Sequence, residues 1–528
     1  MVAVPVPSTD LPYPAPPALR VAETLQFSPE LMARMPITAS VAQHLDANAF
    51  ADALVIHTNH LLDDVLLLNE VFVQLGAEMV FIPVMYGEKT LPAHVPYDLM
   101  YPRVENGEVV IYRNGEAVSK APTNLDNGVQ AAIVEAFRHY AMHTQRKILV
   151  LEDGGYHYEM LEYIKPLVSR RSPGIVAAVE QTRKGLRNAE AHLARANGNH
   201  HYPVLSVARS KLKTRFENQF IAQRVIEETT LMLYLLDEFL TYRDVLLLGY
   251  GVIGRPMAMI ARNMGCRVFV RDTDLMVQRA ALRDGFGVGS AVSPELFTSM
   301  PIVMGTTGVP SFTLPMFEQY LKSAAPRLYL VSASSGRIEF SHLIKFFEGA
   351  PQERLALARE FPFLGRIEDI SVEFVNKVYM YRFTYYGERR EVVLLGEGYP
   401  VNFYRPDSQS LPAKIIDPIN AEILVLAEYG LKHGRLLQPG AYLLGRDELP
   451  NLTISEEDIL RLWGAHNHIA ALNHESSVWY TFEPHPCEER LCANGRVKVN
   501  DAGKARQPAR LHELAFARTP RLAGQLVQ

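Results

Sequence analysis

The sequence predicts an α/β protein built on parallel sheets, and three observations carry that reading. Short apolar runs alternate with helix-period stretches along most of the chain. The runs are continuous rather than alternating, as strands buried on both faces require. One of them passes through a glycine-spaced turn directly into a helix.

In chain order, residues 1–27 open proline-rich and predict a flexible lead with no basic, apolar leader pattern. A helical pattern begins near residue 28. "ALVI" (53–56) reads as a buried strand, followed by "LLDDVLLLNEVFVQLGAE", whose spacing predicts a helix ending at Gly76. "MVFIPV", "KILVLEDGG" (147–155, closed by a Gly-Gly turn) and "GIVAAVEQT" (174–182) continue the series. Residues 217–240 predict a long amphipathic helix. A second α/β series follows in "DVLLLGYG", "CRVFVRD", "IVMGTTG" and "RLYLVSASSG". "KVYMYRFTYYGERREVVLLGEG" predicts an antiparallel hairpin turning at Tyr386-Gly387. Residues 405–475 read as mostly helical, and the segment after 476 as a weakly structured extension.

The turn in "DVLLLGYGVIGRPMAMIARNMG" places Gly249, Gly251 and Gly254 in the spacing G-x-G-x-x-G, between a strand and a helix. The first glycine makes the turn, the second admits a diphosphate to the backbone, and the third lets helix and strand approach. The helix N-terminus, starting after Val252 and Ile253, presents N–H groups to phosphate. Asp272 ends the next strand, about 20 residues on, where a carboxylate accepts from adenosine ribose hydroxyls. A dinucleotide is the expected ligand, NAD rather than NADP, with Arg271 as the one residue that could favour a 2′-phosphate. The two series thus predict two Rossmann-like domains.

Composition narrows the classes. Among 528 residues, 48% are hydrophobic and 21% charged, with a net charge of −5. Such a balance predicts no nucleic-acid or membrane partner. No apolar run reaches the ~18 residues of a membrane span. Three cysteines imply no disulfide framework, and a cytoplasmic protein is expected. His466, His468, His474, His485, Cys487 and Cys492 are zinc-ligand types, but their spacing matches no metal pattern, so no metal is expected. The basic run 496–522 reads as solvated.

Several blocks together resemble the S-adenosylhomocysteine hydrolase (adenosylhomocysteinase) family: "LLLGYGVIGRPMA", the upstream "SVARSKLKTRFENQF", "LEDGG", "HLLDDVLLLNEVFVQLGAEM" and "LLGEGYPVNF". They occur in the family's order from about residue 30 to 405. The resemblance implies a substrate-binding domain over 28–216, resumed over 401–475 around a central NAD-binding domain at 217–400, with 476–528 as an extension. It implies bound NAD and a redox-neutral reaction on a nucleoside-like small molecule. The 3′-hydroxyl is oxidised, the 5′ thiol is eliminated, water adds and the hydride returns. It also implies a homo-oligomer.

By the same resemblance Lys213 aids oxidation of the sugar hydroxyl, with Glu217 and Asn218 beside it. Asp153 matches the catalytic aspartate before two glycines. His60 aligns with the family's histidine and Asp64 with an acid contacting adenine, while His57 is the alternative histidine at the strand end. Asn402 falls beside the nicotinamide amide. Thr182 and the pair Thr306 and Thr307 match cofactor-side threonines. Several positions depart from the family: Gln181 replaces a substrate-side glutamate, Arg183 and Lys184 replace threonines, and Ser335 replaces a histidine. Ala222 replaces a cysteine, "RPDSQSLPAKIIDP" replaces the adenine-closing element, and an insertion lies around 342–370. A rebuilt pocket predicts altered specificity. An NAD-dependent dehydrogenase of another hydroxyl, or a silent NAD-binding regulatory homologue, are the competing readings.

Overall fold

The computed structural model describes residues 27–469 apart from 86–89, 107, 122–127, 196–200, 290–291, 299–301, 335, 404–409, 446, 448 and 453. The expected lead, Ser335, the C-terminal extension and the His/Cys-rich stretch from residue 470 lie outside the described residues.

Two parallel-rich mixed sheets organise the chain. The first contains β1 (Ala53–His60), β2 (Glu78–Val84), β3 (Asp98–Glu105), β4 (Glu108–Arg113), β5 (Glu116–Lys120), β6 (Lys147–Glu152), β7 (Ile175–Glu180) and β8 (Pro203–Ser206). The second contains β9 (Asp244–Leu248), β10 (Arg267–Arg271), β11 (Gly287–Val288), β12 (Ile302–Gly305), β13 (Arg327–Ser332), β14 (Ile367–Val375), β15 (Val378–Tyr385) and β16 (Glu388–Leu395). A last strand, β17 (Gly440–Leu443), returns to the first sheet. The orders are β17-β8-β7-β6-β1-β2-β3-β4-β5 and β11-β10-β9-β12-β13-β16-β15-β14. Pairing is parallel except where β3, β4 and β5 and then β16, β15 and β14 extend one edge as antiparallel meanders.

Burial explains the strand sequences. β1 is buried at all eight positions, so its residues read as a run rather than an alternation. The Tyr386-Gly387 hairpin is present, with both residues at positive φ as such a turn requires. The region read as mostly helical does hold the helices Ala413–His433 and Glu456–His466, but also β17, a four-residue strand too short to announce itself. Helix 413–433 is buried along most of its length, far beyond one amphipathic face. A Cβ on Gly430 would lie 2.8 Å from that of Ala177 in β7, so only glycine lets helix and sheet meet there. The chain's later residues therefore build the first sheet's core together with its earlier ones.

Both sheets change winding direction at one place. In the first, β1 has β2 on one side and β6 on the other; in the second, β9 has β10 and β12. Ligands of open parallel sheets collect at the carboxyl ends of strands flanking such a point. Those ends are His60 and Asp153 in the first sheet, and the glycine turn and Thr306 in the second. No helix among the described residues is long and apolar enough to cross a membrane.

Candidate active site

A cleft of about 800 Å³ is lined by the switch points of both sheets, within the size range of small-molecule sites. Its first wall carries His60, Asp64, Asp153, Gln181 and Thr182; Lys213, Glu217 and Asn218 also face it. Its second wall carries Gly251, Val252, Ile253, Thr306, Thr307 and Asn402. Fourteen of the eighteen sequence-derived site residues thus converge. His57, Gly249, Gly254 and Asp272 are not among the lining residues.

Lys213 and Glu217 lie in a π-helical stretch, Leu212–Glu217, that runs into the helix Asn218–Tyr234. The wider π turn is a feature concentrated at functional sites. Lys213 Nζ donates to Glu217 Oε1 at 2.8 Å and lies 2.7 Å from Oε2. Burial pushes the Glu217 carboxyl upward, the Lys213 ammonium pulls it down, and the charge of Asp153 adds a smaller upward push. Asn218 is buried, and its Nδ2 donates weakly to Thr214 O at 3.4 Å.

Around Asp153 the amides are ordered by hydrogen bonds. Gln181 Nε2 donates to Asp153 Oδ2 at 2.6 Å and to Asn59 Oδ1 at 3.2 Å. Asn59 Nδ2 meets His57 Nε2 at 3.1 Å, and His57 Nδ1 meets Asn69 Oδ1 at 2.7 Å. That pattern assigns the His57 proton to Nδ1. Burial pushes its pKa down to about 4, so His57 is a neutral strut with both ring nitrogens committed. His57 does not line the cleft, whereas His60 does. Its Nε2 faces Asp153 Oδ1 at 3.9 Å, and its ring packs on Phe403 with centroids 4.7 Å apart. Burial raises Asp64 to about 6 against a hydrogen bond from Asn420, which also lines the cleft.

The second wall has the features a dinucleotide needs. Gly249 has φ +92°, and a Cβ on Gly254 would lie 2.1 Å from Gly249 O, so the turn closes only with glycine. A Cβ on Gly251 would meet nothing within 4 Å, because that backbone faces open cleft. Asp272 accepts from Tyr250 N at 2.8 Å and from Asp274 N at 2.9 Å, leaving lone pairs for sugar hydroxyls. Arg271 turns to the Met316 sulfur. Asn402 is 1% exposed, and neither its Oδ1 nor its Nδ2 has a partner among the described residues. A buried amide with both ends unsatisfied is costly, and a carboxamide ligand would satisfy both. The residues present therefore fit the group.

Buried carboxylates behind these walls escaped the sequence reading. Glu339 accepts from Thr307 N (2.5 Å), Gly308 N (2.7 Å), Thr307 Oγ1 (2.9 Å), Ser334 Oγ and Ser311 Oγ, so it shapes the loop after β12. Glu180 accepts from Thr182 N, Thr182 Oγ1 and Gly154 N, and burial pushes its carboxyl well upward. Glu152 lies 2.8 Å from His157 Nδ1. For Glu152 and Glu180, a glutamate closing an apolar run was the available signal. Among the described residues no three metal-ligating side chains converge.

No protein-family model matches the chain. It is similar to the S-inosyl-L-homocysteine hydrolase of Methanothermobacter thermautotrophicus, 28% identical over 289 residues, which are 52% of this chain and 59% of that protein. The adenosylhomocysteinase of Thermococcus kodakarensis is 26% identical over 316 residues, 59% of this chain and 65% of that one. The chain thus spans less than two thirds of the length of these relatives. Among solved structures, the pyruvate reductase of Chlamydomonas reinhardtii aligns over 73% of this chain and 98% of its own, at 14% identity and a TM-score of 0.34.

Proposed function

Similarity over about half its length makes the chain a diverged relative of the adenosylhomocysteinases, and on that premise we propose an NAD-dependent enzyme that cleaves a 5′-substituted nucleoside by redox-neutral hydrolysis. S-adenosylhomocysteine, or a nucleoside of the same build, is the proposed substrate. The observation that carries this reading is the convergence of two sets of groups on one cleft. The Lys213–Glu217 pair and Asp153 face the same space as the open Gly251 backbone and the unsatisfied Asn402 amide.

The glycine turn, Asp272 and Asn402 would hold the cofactor, which supplies a reversible hydride acceptor when bound. Lys213 and Glu217 would bind the sugar hydroxyl and take its proton as the carbon-bound hydrogen leaves with its electron pair. Glu217 suits this exchange because burial raises its proton affinity. Asp153, with His60 close by and Gln181 fixing one carboxylate oxygen, would take the proton from the neighbouring carbon and return it after water has replaced the thiol. The packing of Phe403 on His60 keeps bulk solvent from that side.

Purified protein incubated with S-adenosylhomocysteine provides the test. Free thiol should accumulate with no net NADH. Lys213→Ala should lower turnover by about 10²-fold or more while retaining NAD. Accumulation of NADH in step with substrate would instead mark a dehydrogenase. Unchanged turnover in Lys213→Ala would remove the site assignment.

A further inference from the structure

Asn402 is buried in the cleft and makes no side-chain hydrogen bond among the described residues, so its amide is aimed by its backbone and packing. That backbone leaves β16 through a left-handed turn. Gly396, Glu397 and Gly398 have φ of +57°, +55° and +84°. Glycine takes such values freely, but a glutamate keeps them only where its surroundings hold it. The chain then pairs Pro400 with Ser332 at the end of β13 and enters the short turn Val401–Phe403. Asn402 and Phe403 both reach the cleft from that turn, and Phe403 packs there on His60.

Arg337, on the loop after β13, is the group that holds Glu397. Its Nε donates to Glu397 O at 2.6 Å. Its Nη1 and Nη2 donate to the two carboxylate oxygens of Glu348, at 2.9 and 2.5 Å. A two-point pair of this kind fixes the orientation of a guanidinium as well as its place. Tyr381 Oη donates to Glu348 Oε1 as well, and Arg337 lies 5.6 Å over the Tyr379 ring and 5.9 Å over that of Tyr399. The Arg337 and Glu348 side chains are only 25% and 26% exposed, which limits screening of the pair by solvent. Glu348 closes the helix Ser341–Glu348, and a Cβ on Gly398 would lie 3.2 Å from Ile344 Cδ1 of the same helix. Neither Ile344 nor Glu348 lines the cleft. The insertion around 342–370 thus braces the 396–398 turn from behind.

We propose that Arg337 is a positioning residue for the nicotinamide end of the cofactor: braced by Glu348, it clamps the Glu397 carbonyl and so sets the turn that presents Asn402 to the carboxamide. The inference rests on the reading of Asn402 as the partner of that carboxamide. Arg337 itself lines the cleft, but three of the five N–H groups of its guanidinium are committed to protein oxygens. Its effect on the cofactor is carried by the backbone from Glu397 to Asn402.

Titration calorimetry on full-length protein tests this, with NAD and with ADP-ribose, which lacks the nicotinamide. The wild type should bind NAD the more tightly. Asn402→Ala should lose about tenfold in NAD affinity and keep its affinity for ADP-ribose. Arg337→Met, which keeps an apolar stem and removes every donor, should show the same split. The double variant R337M/N402A should bind NAD no more weakly than N402A, because nothing is left to position. Should Arg337→Met fold poorly, Glu348→Gln removes one of the two contacts of the fork and should show the split in weaker form. Equal losses for NAD and ADP-ribose overturn the proposal, since Arg337 would then serve the diphosphate or the cleft as a whole. Unchanged NAD affinity in Arg337→Met, or additive losses in the double variant, overturn it too. A wild type that binds both ligands equally, or Asn402→Ala with NAD affinity intact, removes the reading of Asn402 and the proposal with it. Wild-type protein that binds neither ligand overturns the cofactor site itself.

Discussion

Gln181 holds Asp153 through a 2.6 Å hydrogen bond from Nε2 to Oδ2. The same nitrogen reaches Asn59, which connects to His57 and on to Asn69. A neutral amide thus fixes the orientation of a cleft carboxylate, and the chain of amides behind it fixes the amide. A glutamate at 181 could occupy the same space but could not donate when ionised.

Gln181→Glu tests what that donor does. Two carboxylates at hydrogen-bond distance cannot both ionise easily, so one of them takes up a proton with a strongly raised pKa. The acid limb of the pH–rate profile should move upward by about one unit or more. Gln181→Ala should lower turnover without that displacement. A profile that stays in place in Gln181→Glu would show that Asp153 is not the group titrating in the reaction.

Gly254 offers a steric test of the cofactor turn. A methyl group there would lie 2.1 Å from Gly249 O and 2.9 Å from Thr306 Oγ1, so the turn must open. Gly254→Ala should weaken NAD binding by about tenfold or more. The melting temperature without NAD should fall less than that measured with saturating NAD, because the ligand-linked stabilisation is lost as well. Fluorescence titration and thermal melts at two NAD concentrations supply both numbers.

Asp417 gives a pH test of the fold. It lies in helix 413–433 and accepts from Ile37 N and Thr38 N at 2.8 Å each and from Thr38 Oγ1 at 2.7 Å, which anchors the start of the helix Pro36–His44. Burial nevertheless pushes its pKa up to about 7. A folded-state pKa above the unfolded one favours the native state at low pH, and that contribution disappears as pH rises through about 7. The stability difference between Asp417→Asn and the wild type should therefore shift in the variant's favour between pH 4 and pH 8. Urea melts across that range measure it. A constant difference would mean that the three donors keep Asp417 ionised throughout.

The strands and the glycine turn were legible because their signals are local. β1, β6, β7 and β9 are continuous apolar runs, and Gly249, Gly251 and Gly254 answer backbone demands at their own positions. The cleft residues were legible through their neighbours in sequence, as with Lys213 and Glu217. What stayed hidden depends on distant chain segments. The antiparallel additions β3 to β5 are half exposed and carry charged residues, so they lack a core-strand pattern. His57 and His60 differ only in which neighbours take up their ring nitrogens, and Asn69 and Asn59 decide that in space. Glu339 looks like any glutamate until the fold brings five donors to it.

The position of Lys213 depends on a residue more than two hundred positions away. Glu456, on the helix Glu456–His466, accepts from Lys211 N at 2.5 Å and Leu212 N at 3.4 Å, which caps the turn that carries Lys213. Glu422 accepts from Ser210 Oγ at 2.9 Å, and that hydroxyl accepts from Lys213 N at 3.0 Å. Burial pushes both carboxyls upward. Glu456→Gln keeps an oxygen for the two amides and should stay close to wild type in both stability and turnover. Glu456→Ala leaves them uncapped and should cost about 1–2 kcal/mol of stability. If the cap positions Lys213, Glu456→Ala should lower kcat more than it raises KM, at a temperature where the variant is fully folded. A variant that loses stability with kcat unchanged would confine Glu456 to holding the fold.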